Sequence, residues 1–87
     1  MKLIFLHGLG QDAHSWQGVQ DALSPMHSES FAIFSSPSES YQEAKERLTE
    51  YLQQESEPFM LVGLSLGGVL ALDLSSQDLP QLKGLVL

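Results

Sequence analysis

Eighty-seven residues suffice for one small domain, whose folding buries roughly 60–65% of the surface the unfolded chain exposes. A formal net charge of −7 repels polyanions and so argues against nucleic acid or an anionic membrane surface as a partner. Without cysteine there is no disulfide, thiolate metal site or cysteine nucleophile, and no apolar run approaches the ~20 residues of a membrane span.

In chain order, "KLIFL" (2–6) is a short, mostly continuous apolar run, the pattern of a strand buried on both faces. The apolar run before His7 is too short for a signal-peptide core, so a cytoplasmic location is expected. "HGLGQDAHSW" (7–16) then gives a glycine-flanked loop leading into a helix over 15–24. In that helix Trp16, Val19 and Leu23 share a face, and Ser15 or Asp12 stands ready as N-cap. "FAIF" (31–34) reads as the second strand. A helix over 39–54 follows, with Tyr41, Ala44, Leu48, Tyr51 and Leu52 inward. Its opposite row of Glu39, Glu43, Glu46 and Glu50 is read as a solvated face. "FMLV" (59–62) is the third strand. The helix over 66–76 is apolar nearly all round and is expected to be buried, and "KGLVL" (83–87) is the fourth strand.

Alternation of this kind predicts an α/β fold: a three-layer α/β/α arrangement around a parallel sheet of about four strands. The order expected is 2-1-3-4, a doubly wound order that makes the ends of the first and third strands neighbours. Ligands of such sheets bind at the carboxyl ends of the strands, which is where both His7 and Ser65 fall.

Gly63-Leu64-Ser65-Leu66-Gly67 stands between an apolar strand and an apolar helix, the setting of a nucleophile elbow. The small residues Gly63 and Gly67 leave room for a turn tight enough to push a serine hydroxyl out of the sheet. The start of the helix aims the N–H of Leu66 at any negative oxygen near Ser65. Gly8 and Gly10 let the backbone of the first loop approach a ligand, and the N–H of Leu9 then supplies a second oxyanion donor. The stretch lacks the Gly-x-Gly-x-x-Gly and Lys-Ser/Thr patterns of phosphate loops.

On "LIFLHGLG" and "LVGLSLGGVLAL" the chain resembles the α/β-hydrolases, whose His-Gly oxyanion strand and nucleophile elbow these stretches are similar to. The resemblance covers the element order of essentially the whole chain. It implies Ser65 as nucleophile, Leu9 and Leu66 as oxyanion donors through their backbone, and His7 and Gly8 as the supporting loop. The implied reaction is cleavage of a carboxylic ester, thioester or amide of a small-molecule acyl substrate through an acyl-enzyme, with no cofactor.

In that family the triad runs Ser, then Asp or Glu, then His. No histidine follows Ser65, and Asp73 lies eight residues along a helix, roughly 12 Å of rise away. Asp73 and Asp78 are read as solvent-facing or capping residues, and His14 and His27 as surface residues. His7 is the histidine that could stand near Ser65 as a substitute base, although in the resembling family it shapes the loop. The expectation is therefore an N-terminal portion of a longer hydrolase, cut at its C-terminus, with very low activity from residues 1–87 alone. The alternative is an inactive remnant or small interaction module that keeps the elbow. In either case the unpaired edge of the last strand invites self-association. The three histidines lack metal-ligand spacing, so no metal is expected.

Overall fold

The computed structural model describes residues 1–8, 10–24, 26–34 and 36–87. Four strands, β1 (Lys2–Leu6), β2 (Ser28–Phe31), β3 (Phe59–Gly63) and β4 (Leu82–Val86), form one sheet in the order β2-β1-β3-β4, with every pair parallel. Three α-helices, α1 (Gln17–Leu23), α2 (Tyr41–Gln53) and α3 (Leu66–Ser75), connect them, and a single 3₁₀ turn (Ala13–Trp16) precedes α1. The α/β class is the one expected from the alternating pattern, and the strand order is the doubly wound order expected with it.

Register decides which side chains share a face. Ile4 and Leu6 of β1 stand beside Leu61 of β3 in a core closed by Ala44, Leu48 and Leu52 of α2 and by Leu70, Ala71 and Leu74 of α3. Phe5 points the other way, because successive strand residues alternate, and stacks on Trp16 with ring centroids 4.8 Å apart. Thus α2 and α3 cover one face while the 3₁₀ turn and α1 cover the other. The second layer is thin: α1 buries none of its residues, and Met60 and Val62 on that face are only half-buried.

Several elements differ from the sequence reading. The second strand lies at Ser28–Phe31 and not at 31–34. It is an edge strand, and its polar residues find partners there: Glu29 pairs with Lys2, and Ser30 donates through Oγ to the carbonyl of Ala13. Polarity that argues against a central strand is tolerated at an edge. The helix expected over 15–24 divides into the 3₁₀ turn and α1, and Val19 is exposed. Asp12 is the cap at this site, accepting from the His14 N–H, while Ser15 Oγ accepts from the Asp12 N–H.

Helix α3 is not buried all round. Gly67, Leu70, Ala71 and Leu74 face the sheet, whereas Val69 is 56% and Leu72 52% exposed. Part of the glutamate row of α2 also has specific partners. Glu39 pairs with Arg47 at 3.0 Å, and Glu43 completes a capping box with Ser40. The Ser40 N–H and hydroxyl bonding to the Glu43 carboxylate hold it below the usual carboxylate range. Asp73 is half-buried, and its carboxylate accepts from the Tyr41 hydroxyl, joining α2 to α3.

Candidate active site

Ser65 occupies the bend between β3 and α3, at the carboxyl end of the sheet, and is exposed. Its backbone has φ 57° and ψ −116°, the only positive φ at a non-glycine among the described residues. An L-residue there clashes with its own peptide, at a cost of about 1–3 kcal/mol. The chain bears that strain because both flanks are locked. The Leu64 N–H donates to the Leu6 carbonyl at 3.3 Å, and the Gly67 N–H donates back to the Leu64 carbonyl at 3.0 Å.

The glycines around the bend are required by contact. A Cβ on Gly63 would stand 2.6 Å from the carbonyl carbon of Gly67, and one on Gly67 would stand 2.6 Å from the carbonyl carbon of Leu6. Real Cβ atoms do not come that close, so β1, β3 and the start of α3 meet backbone to backbone. With the Gly67 N–H spent on Leu64 and the Val69 N–H on Ser65, the N–H of Leu66 makes no turn bond among the described residues. That amide is one of the orphan donors at a helix N-terminus, and it belongs to the residue directly after Ser65.

Gly8 comes to the same place from β1. A Cβ there would lie 3.4 Å from Ser65 Cβ and 3.2 Å from the Leu64 carbonyl oxygen. The Gly8 carbonyl accepts from the Gln11 N–H at 3.1 Å, closing a four-residue turn whose third residue, Gly10, has φ 80°. Leu9, the second expected oxyanion donor, lies outside the described residues.

His7 stands on this edge but is not free. Its Nε2 accepts from the Ile33 N–H at 3.0 Å, which leaves Nδ1 to donate to the Gly8 carbonyl at 2.9 Å. The ring is therefore the neutral Nδ1–H tautomer, with both nitrogens engaged and 6% of the residue exposed. This overturns His7 as a substitute base: it is a strut tying the Gly8 turn to the segment after β2. His27 is exposed and pairs with Glu57 at 2.9 Å, and His14 is exposed beside the 3₁₀ turn.

Sequence reasoning missed Gln11, whose Oε1 accepts from the Gly8 N–H at 2.8 Å. The turn glycines at 8 and 10 were the signal that residue 11 would fold back onto residue 8. Surface depressions lined by Phe34, Ser36, Pro37 and Glu39, and by Gln42, Lys45, Glu46 and Gln77, do not include Ser65. No group of three His, Cys, Asp or Glu able to hold a metal is found among the described residues. Among them, too, no helix is long and apolar enough to cross a membrane.

Comparison of the chain with protein-family models, with curated proteins and with solved structures returned no match. The functional reading rests on the residues and their geometry.

Proposed function

We propose that Ser65 is the nucleophile of a cytoplasmic serine hydrolase of the α/β-hydrolase type, acting on a carboxylic ester, thioester or amide. The observation that carries this reading is the strained, exposed Ser65 at φ 57°, set between β3 and α3 directly beside Gly8. In the proposed reaction Ser65 Oγ attacks the acyl carbon, and its proton leaves to a base. The carbonyl oxygen, now negative, is met by the N–H of Leu66 and, in the proposal, that of Leu9. Collapse expels the alcohol, thiol or amine with a proton and leaves an acyl-serine. Water then releases the acid and restores the hydroxyl. The acid and base of the triad are proposed to come from sequence outside these residues.

A fluorophosphonate probe tests the nucleophile on the chain as it stands. The expected result is a single adduct on Ser65 that Ser65→Ala abolishes and that His7→Ala retains wherever that variant folds. No adduct in a demonstrably folded sample would overturn the reading.

One observation favours a second reading, a non-catalytic module that retains the bend: both nitrogens of His7 are committed. In that reading the chain acts through the open edge of β4, where Val86 and Leu87 are exposed, by association with a second copy. Sedimentation of the unlabelled chain separates the two: a monomer at micromolar concentration removes the self-associating module.

A further inference from the structure

We infer that the side-chain amide of Gln11 is an oxyanion donor for the Ser65 reaction, a catalytic role that rests on the hydrolase reading above. Oε1 is spent on the Gly8 N–H at 2.8 Å, which fixes the oxygen inward and makes the other atom Nε2. Among the described residues Nε2 has no hydrogen-bond partner, so its two N–H groups are available.

Gln11 Oε1 and Ser65 Cβ both lie near one point, the place a Gly8 Cβ would occupy, at 3.1 and 3.4 Å. The carboxamide oxygen and the serine are thus neighbours across Gly8, which has no side chain to keep them apart. Gln11 is exposed, so it can meet a substrate, yet it is anchored at two points. Its N–H holds the Gly8 carbonyl, which also accepts from His7 Nδ1, and its Oε1 holds the Gly8 N–H. An anchored donor loses little freedom when charge develops opposite it, which is the requirement for oxyanion stabilisation.

The charges of the chain leave this task to neutral donors. Lys2 and Lys83 stand at or near the starts of β1 and β4, at the opposite end of the sheet. Arg47 is tied to Glu39 and to the Ala32 and Ile33 carbonyls, and Lys45 lies among Gln42, Glu46 and Thr49 on α2. The Gly8 N–H, which would otherwise face the same space, is already occupied by Gln11 itself.

The order of rates across three proteins tests the role. The second-order rate of Ser65 labelling by a neutral alkyl fluorophosphonate is measured at pH 8 for wild type, Gln11→Ala and Gln11→Glu, with thermal melts confirming that each is folded. Glutamate keeps the acceptor that holds the Gly8 N–H but replaces the donor with a negative oxygen. Donation to the oxyanion predicts the order Gln, then Ala, then Glu, with Gln11→Ala slowed about 100-fold. A role confined to holding the turn predicts Gln and Glu alike, with Ala slower. That order, or equal rates in all three, overturns the donor assignment and leaves the hydrolase reading standing. Absence of a Ser65 adduct in folded wild type removes the hydrolase reading, and this inference with it.

Discussion

At its amino end the sheet is closed by charge, and at its carboxyl end by bare backbone. Lys2, only 5% exposed, reaches Glu29 at 2.6 Å and Glu55 at 3.1 Å, and the Tyr51 hydroxyl donates to the same Glu29. Burial alone would push the Lys2 ammonium down. The hydrogen bonds and charges of Glu29 and Glu55 outweigh it, and the group is raised. At the other end Gly8, Gly63 and Gly67 leave no room for a methyl group without displacement, and Ser65, set among them, is held in a conformation that costs energy. Flexible side chains with ionic tips can adjust to a neighbour. Abutting peptide planes cannot, and that stiffness is what lets a strained serine persist.

The sharpest way to break this contrast is to add a single methyl group at the stiff end. Gly67→Ala places its Cβ against the Leu6 carbonyl, and we expect a loss of about 3 kcal/mol or more in urea unfolding. A loss under 1 kcal/mol would show that the backbone there yields. At the charged end, Lys2→Met keeps the stem and deletes the tip, leaving two carboxylates facing one another. A loss of about 2–3 kcal/mol is expected in the same assay.

Ser65→Gly runs the other way. It removes the steric cost of φ 57° and should raise stability by about 1–2 kcal/mol while abolishing probe labelling. A destabilised Ser65→Gly protein would mean the bend is not strained.

The smallest effect is a pH slope. Tyr41 is pushed up to about 12 by burial and by its bond to, and the charge of, Asp73, and Tyr51 is raised by burial and by Glu29. With Lys2, each binds its proton more tightly when folded than when unfolded. Their contribution is therefore whole below about pH 10 and is lost as the pH climbs through the folded values. Melting temperature should fall between pH 10 and 12, less steeply in Tyr41→Phe. An unchanged slope in that variant would remove the Tyr41–Asp73 link from the account.

Much of the bend was legible beforehand. A glycine two residues either side of a serine, with apolar runs before and after, states a spacing that suits a tight strand-to-helix turn, and Gly63, Ser65 and Gly67 take those places. The second strand was not legible, because β2 satisfies its polar residues through Lys2 and the Ala13 carbonyl, neither of which is near in sequence. The outward face of α3 was misread for a related reason. Apolar composition cannot say which side the sheet covers, and Val69 and Leu72 turn away from it.

By itself the sequence determined the alternation of elements and the glycine spacing at the bend. These follow from periodicity and from the room a side chain needs, both of which act between near neighbours. Only the tertiary structure decided that the His7 ring is closed to catalysis, that Lys2 is shared by two glutamates and that Gln11 lies beside Ser65. Those outcomes depend on which residue arrives opposite, as when the Ile33 amide meets an imidazole 26 positions earlier in the chain. Hydrogen bonds are short and directional, so spacing along the chain cannot anticipate them.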